Sequence, residues 1–324
     1  MVMHVRLEHT GDPQVMHLQS AQVQAPGPGE VWLEQVAIGV NPLDVNQRKG
    51  DVALALPTGL GLEGAGTVTA VGAGVTTVRL GDRVAYATGP LGAYASARLF
   101  PAERLIKLPD SVSFEAAAAV LFKGITAQYL LKSTYPVGPG TRVLIYGAAG
   151  ALGQLLVPWA KHLGAFVIGV VSKSSSVERA RAAGCDEVLV FDAASLPTQV
   201  LDLTQGHKVD VVYDSVGRVS LQASLDSLRP RGLLVSFGVT SGVPEPLAMS
   251  TLNSKGSLFV TRPSLAAHTA TAQEYQARAQ DVLAALAAGI IQARIWRRYP
   301  LAEVATAHDD MQHGRSQGAI ILIP

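Results

Sequence analysis

The sequence predicts an α/β protein with two parts, a region of short strands joined by tight turns and a parallel sheet covered by helices on both faces. Three observations carry this reading. The first third alternates polar and apolar residues between clusters of turn formers. Beyond it, continuous Val/Ile/Leu runs alternate with helical patterns. One such run, VLIYG, passes straight into the glycine turn AAGALG and then into a helix.

In the first third, APGPGE (25–30), GPLG (89–92) and LPDSVS (108–113) separate alternating runs such as EVWLEQVAIGV, GTVTAVGAGV and DRVAYAT. Short strands between turns suggest an all-β barrel or sandwich. Near residue 114 the texture changes, and FEAAAAVLFKGITAQYLLK has helical spacing. Then VLIYG reads as a strand, ALGQLLVPWAKHLG as a helix, FVIGVV as a strand, SVERARAAG as a helix and EVLVF as a strand. VDVVYDSV, GLLVSFG and SLFVTRP read as further strands, with the helix SLQASLDSL after the first of them. After Pro263 the helix TAQEYQARAQDVLAALAAG leads into short segments ending in GAIILIP.

Composition sets bounds. A chain of 324 residues suggests about two domains, and 48% apolar residues can bury a sizeable core. A net charge of +1 with no basic block gives no support to a nucleic-acid partner. The single cysteine, Cys185, closes no intramolecular disulfide and builds no four-sulfur zinc site, so a reducing compartment, the cytoplasm, is expected. MVMHVRLEHT carries no apolar h-region, so secretion is not indicated. The eight histidines show no metal-binding pattern; His308 and His313, five apart, do not share a helix face. The uncharged stretch Val143 to Ala160 nearly reaches membrane-spanning length. Its glycines and its change of period at Gly153 mark a strand, a turn and a helix instead, and no membrane partner is expected.

The turn Ala148, Ala149, Gly150, Leu152, Gly153 points to a dinucleotide. Small residues there admit a pyrophosphate to the backbone and the helix to the strand. The helix start offers unpaired N–H groups and a positive dipole end. NAD-specific sites usually place an acid at the end of the next strand. Here that strand, FVIGVV, is followed by SKSSSVER, with no acid before Glu178 but with Ser172, Lys173, Ser176 and Arg179. These residues suit a 2′-phosphate, so NADPH is expected over NADH. The alternative is a solvated helix start with the serines as caps.

GLEGAG with its valine-rich strand, GDRVAYA, LGAYAS, LFKGITAQYLL, YGAAGALG, WAKHLGA, VVYDSVGR, RGLLVSFG and GSLFVTRPSL run in one order along nearly the whole chain. In this the sequence resembles the medium-chain dehydrogenase/reductase superfamily, and within it the zinc-independent, zeta-crystallin-like quinone oxidoreductases. The resemblance implies a GroES-like β-barrel catalytic domain over 1–124 and 264–324, and a Rossmann dinucleotide-binding domain over 125–263. It also suggests a homodimer.

Within that resemblance, zinc-dependent relatives carry a His before the Glu of GLEGAG and a Cys in the segment matching NPLDVNQ. This chain has Leu62 and no cysteine there. Leu62 and a bare Glu63 cannot build a three-ligand catalytic zinc site, and no metal is expected. Glu63 is then most simply a buried carboxylate satisfied by hydrogen bonds or an Arg partner, with a direct chemical role as the lesser alternative. Hydride transfer to a plain ketone builds an alkoxide that zinc would stabilise. Without zinc the acceptor must delocalise the charge itself, as quinones and α,β-unsaturated carbonyls do. The expected activity is therefore NADPH-dependent reduction of a small-molecule quinone or enone. Reduction of enoyl thioesters, or NADPH binding without catalysis, are the alternatives.

The resemblance also supplies candidate residues. Asn41, Asp44, Asn46 and Arg48 of NPLDVNQR match positions near the nicotinamide; the alternatives are a turn at Asn41-Pro42 and a helix cap at Asp44. Lys123 and Thr126 of FKGITA match cofactor contacts, and a lysine that merely snorkels is the alternative for Lys123. Ser215, Phe237, Gly238, Thr261 and Arg262 follow strand ends, where open α/β sheets bind ligands. The chain departs from the family at Asn46, often Tyr; at Ser176, a common phosphate-binding Lys for which Lys173 and Arg179 are the substitutes; and at Phe191, often an aromatic hydroxyl beside the adenosine phosphate.

Overall fold

The computed structural model describes residues 1–324. In chain order the first elements are β1 (Val2–Leu7), β2 (Met16–Ala21), β3 (Glu30–Val40), α1 (Pro42–Lys49), β4 (Thr58–Gly59), β5 (Glu63–Val71), β6 (Arg83–Ala87), β7 (Ala97–Pro101), β8 (Ile106–Lys107) and α2 (Phe114–Tyr129). Next come β9 (Arg142–Tyr146), α3 (Gly153–His162), β10 (Phe166–Val171), α4 (Val177–Ala182), β11 (Glu187–Val190), α5 (Leu196–Leu203), β12 (Val209–Asp214), α6 (Leu221–Ser227), β13 (Leu228–Ser236), α7 (Met249–Ser254), β14 (Phe259–Thr261) and α8 (Leu265–His268). The chain closes with α9 (Ala272–Ala287), β15 (Ile295–Pro300), α10 (Val304–Gln312) and β16 (Ala319–Ile323). No helix is long and apolar enough to cross a membrane.

The chain divides into two compact units, Met1–Ile125 with Thr269–Pro324, and Thr126–His268. The first holds a seven-stranded sheet with the path β15-β16-β3-β5-β6-β8, in which β7 also pairs with β3, and a small sheet β2-β1-β4. Strand β3 alternates core and solvent positions at 33–37 and is buried throughout beyond them, at 38–40, and the buried side chains Leu33, Ile38 and Val40 meet Tyr86, Phe100 and Leu322 in one core. The pairing of β3 with β5 sets Gly39 opposite Glu63.

The second unit is one six-stranded sheet, β11-β10-β9-β12-β13-β14, with every neighbouring pair parallel. Its central strands are buried along their length, which is why VLIYG and VDVVYD read as continuous apolar runs rather than alternations. Five helices, α1, α5, α7, α8 and α10, have no counterpart in the sequence pattern. Helix α5 turns only Leu196 and Val200 into the core, too short a stripe to stand out, and α7 buries no residue at all. Helix α1 follows NPLDVNQR, whose polar residues masked it; Asp44, Gln47 and Arg48 are all buried.

Candidate active site

In the first unit the site starts where β3 ends. Asn41 is the N-cap of α1, Pro42 takes the first helical position and Asp44 the third. This is a capping box in outline, but only one arm is bonded. The Asp44 Oδ2 accepts the Asn41 backbone N–H at 2.9 Å, while the Asn41 Oδ1 has no partner. The Asn41 carboxamide turns to Glu63 instead and donates to its Oε2 at 2.9 Å.

Glu63 has no exposure to solvent and is held by three donors. Besides Asn41, its Oε1 accepts the Phe122 backbone N–H at 2.7 Å, and the Lys123 Nζ lies 3.5 Å from Oε2. The hydrogen bonds expected for Glu63 are present, but its cation is Lys123 rather than an arginine. Burial raises the Glu63 pKa, opposed by the Lys123 charge and the hydrogen bonds. Gly39 makes the room: a Cβ there would lie 2.2 Å from the Glu63 Oε2 and 2.3 Å from the Ala118 carbonyl oxygen. Lys123 does not reach water by snorkelling; it is 6% exposed.

Asp44 continues the cluster. Its Oδ2 also accepts the Tyr94 hydroxyl at 2.9 Å, and that hydroxyl lies 2.9 Å from the His308 Nε2. All three residues are fully buried. Burial pushes the Asp44 carboxyl up to about 7, with the Glu63 charge adding to the rise. Burial also drives His308 down to about 3, so its ring is neutral. With Tyr94 donating to Asp44, His308 donates from Nε2, and its Nδ1 is left unpartnered.

Arg48 lies on the same helix but is turned to other work. It is fully buried, donating to the Gly11 carbonyl and to the Gln312 Oε1, each at 2.6 Å. That leaves Asn41, Asp44 and Lys123 gathered around Glu63, with Asn46 partly exposed on α1. Tyr94 and His308 were not read from the sequence, and nothing local marks them.

In the second unit β9 ends in the AAGALG turn. Gly153 is required there: a Cβ would lie 2.3 Å from the Gly147 carbonyl oxygen. Ala148 and Ala149 are buried in the turn, and no side chain caps α3. An open helix start behind a glycine turn can take a phosphate. After β10, Ser172 and Lys173 are exposed, while Ser176 and Arg179 are partly so. Arg181 pairs with Glu178 at 2.8 Å, whereas Lys173 and Arg179 pair with no carboxylate. Phe191 packs on Tyr146 with ring centroids 5.8 Å apart.

Parallel register brings the ends of β12, β13 and β14 side by side, with Asp214 opposite Ser236 and Val235 opposite Thr261. Ser215, Phe237 and Gly238 therefore leave the sheet from one edge, with Thr261 and the exposed Arg262 beside them. A Cβ at Gly238 would lie 2.5 Å from the Ser215 carbonyl oxygen, so the two loops touch. The sequence reading missed Asp214, which anchors this edge. It accepts from the Val216 and Gly217 amides and from the Ser220 and Ser224 hydroxyls, at 2.7–3.1 Å. The Asp-Ser-Val-Gly run after a strand was the available sign. Thr126, at the start of this unit, is partly buried.

The comparisons with known proteins agree on one family. A family model described as an alcohol dehydrogenase GroES-like domain matches residues 27–110, and one described as a zinc-binding dehydrogenase matches 151–284. A Pseudomonas aeruginosa protein named quinone oxidoreductase is 43% identical, with both chains covered in full. A Burkholderia protein named 2-haloacrylate reductase is 41% identical over 100% of this chain and 99% of its own. The crystal structure of Escherichia coli quinone oxidoreductase complexed with NADPH matches with a TM-score of 0.95 at 39% identity, over 99% of this chain and 100% of that one. The chain belongs to the quinone oxidoreductase family of the medium-chain dehydrogenases/reductases. Both the GroES-like and the Rossmann parts expected from the sequence are present in it.

One matching family model takes its name from zinc, but the residues of this chain do not suit that ion. Around Glu63 stand a carboxamide N–H, a backbone N–H and an ammonium, all donors. Zinc needs lone pairs from His, Cys, Asp or Glu. Nowhere in the chain do three such side chains gather to hold a metal.

Proposed function

We propose that this protein reduces quinones with NADPH, converting quinone, NADPH and a proton into hydroquinone and NADP⁺. The observation that carries the reading is the Glu63 cluster, in which the carboxamide, backbone and ammonium groups set on the carboxylate are hydrogen-bond donors rather than zinc ligands. When bound, NADPH supplies the hydride from its nicotinamide. The residues of the chain do the rest. Gly150, Leu152 and Gly153, with Ala148 and Ala149, present the uncapped start of α3 to the pyrophosphate. Ser172, Lys173, Ser176 and Arg179 meet the 2′-phosphate, and Phe191 forms an apolar wall beside it. Thr126, Ser215, Phe237, Gly238, Thr261 and Arg262 frame the cofactor at the carboxyl edge of the sheet. Asn41, Lys123 and Asn46 offer polar contacts to acceptor and nicotinamide, and Asp44 sets the local charge. The test is purified protein with NADPH and a panel of quinones; if the absorbance of NADPH stays constant, the proposal is wrong.

A second reading is reduction of α,β-unsaturated carbonyls. It is supported by 41% identity to the 2-haloacrylate reductase, and the same assay with enones in place of quinones compares the two. A cytoplasmic location is supported by the single cysteine. A homodimer is supported by β14, an edge strand with Phe259 61% and Val260 41% exposed, which a second copy can cover by antiparallel pairing across a two-fold axis. Light scattering on wild type and on Phe259→Lys checks it: the wild type runs at twice the mass of the variant.

A further inference from the structure

Resting on the quinone reading, we propose that Glu63 is a positioning residue: one buried carboxylate that fixes the Lys123 ammonium so that it faces the oxygen on which charge builds during reduction, and that holds the start of α1 in place through the Asn41 carboxamide. When the hydride adds to the quinone, an electron pair moves onto a carbonyl oxygen. Lys123 donates a hydrogen bond to that oxygen, and solvent supplies the proton that completes the hydroquinone.

A stability role alone does not explain the cluster. A buried ion pair is seldom more stabilising than two well-packed apolar side chains of the same volume. This pair is also long, at 3.5 Å, although Lys123 is only 6% exposed. An ammonium has three donors, and Glu63 is the partner seen for it. The fully buried Asn41 likewise keeps its Oδ1 without a partner. Two buried polar groups with hydrogen-bonding capacity beyond Glu63 thus share one carboxylate oxygen. The other oxygen binds the Phe122 N–H, which pins α2 one residue before Lys123. Gly39 is needed to admit the carboxylate at all. The groups contacting Glu63 come from Asn41 at the start of α1 and from Phe122 and Lys123 of α2, so the carboxylate ties α1 to α2 at the positions that carry the free donors and acceptor.

The test is a double-mutant cycle of wild type, Glu63→Gln, Lys123→Met and the pair, measured with NADPH and 1,4-benzoquinone, with NADPH affinity followed separately by fluorescence. Expected for Glu63→Gln is a kcat at least tenfold lower with NADPH Kd within threefold of wild type. In the Lys123→Met background the same change alters kcat by less than twofold, because the carboxylate acts through the lysine. A kcat within twofold of wild type, an equal loss in both backgrounds, or a matching loss of NADPH affinity overturns the proposal. If Glu63→Gln does not fold, Glu63→Asp, which keeps the charge but withdraws it by one methylene, replaces it in the same cycle with the same criteria.

A second readout needs no cofactor. Asp44 is faced by Glu63 from β5, Lys123 from α2, Tyr94 from the 88–96 segment, His308 from α10 and Arg48 from its own helix. Loss of the Glu63 charge moves the Asp44 titration below 7, seen in the pH dependence of the thermal midpoint referenced to Asp44→Asn. No movement overturns the proposed coupling. Inactive wild type would sink the quinone reading alone, and this measurement would still decide on the hub.

Discussion

Asn41 donates its carboxamide to Glu63 across 2.9 Å rather than closing the capping box of the helix it begins. A carboxamide can serve here because it presents an N–H to a buried anion. Asn41→Asp replaces that donor with a second carboxylate and leaves Glu63 facing a like charge out of contact with water. A loss of about 3 kcal/mol is expected in urea unfolding. A variant as stable as wild type would show that the contact carries no weight.

The backbone at Gly39 has no room for a methyl group, since both the Glu63 carboxylate and the Ala118 carbonyl stand closer than 2.5 Å to where it would sit. Gly39→Ala forces β3 away from α2 and costs more than about 3 kcal/mol. Thermal unfolding measures it, and a midpoint within a few degrees of wild type contradicts the expected clash.

Asp44 and His308 pull the pH dependence of stability in opposite directions. The Asp44 carboxyl titrates near 7 when folded against an ordinary value of 3.8. The folded state therefore holds a proton that the unfolded chain releases, and this stabilisation fades as pH rises from about 4 to 7. His308, lowered to about 3 from 6.5, adds stability as pH rises from about 3 to 6.5. Asp44→Asn removes the first effect and keeps the second. Relative to wild type it gains up to about 4 kcal/mol between pH 4 and 7 and stays level above that. A difference that is flat across this range would show that Asp44 titrates normally.

Lys173 and Arg179 stand after β10 with no carboxylate partner. Reversing both to Glu raises KM for NADPH at least tenfold and leaves KM for NADH within about threefold, since the 2′-phosphate is the only difference between the cofactors. A parallel change for both cofactors would place the 2′-phosphate elsewhere.

The parts of the molecule that were legible in the sequence are those in which neighbours in the chain are neighbours in space. The strand, turn and helix around Gly150 and Gly153 follow from spacing alone, as do the buried parallel strands. Glu63 reads as a buried acid because its surroundings are apolar, satisfied by hydrogen bonds or by an Arg partner, and the hydrogen bonds are present. The partner is Lys123, 60 positions away, and no local pattern couples them. Tyr94 and His308 are 214 positions apart and meet only because β16 returns α10's end of the chain to β3. Arg48 matched a motif near the nicotinamide, but burial commits its guanidinium to Gly11 and Gln312.

That last contact bears on how the chain is made. Arg48 joins a carbonyl near the amino terminus to an amide side chain at 312, and β3 pairs with β16 at 320–322. The Thr126–His268 unit is contiguous, so it can be complete on the ribosome while the seven-stranded sheet still lacks β15 and β16. Until β16 emerges, only the Ile38–Val40 end of β3 lacks its neighbour, because β7 already covers Glu30–Glu34, so the open edge the nascent first third exposes is three residues long.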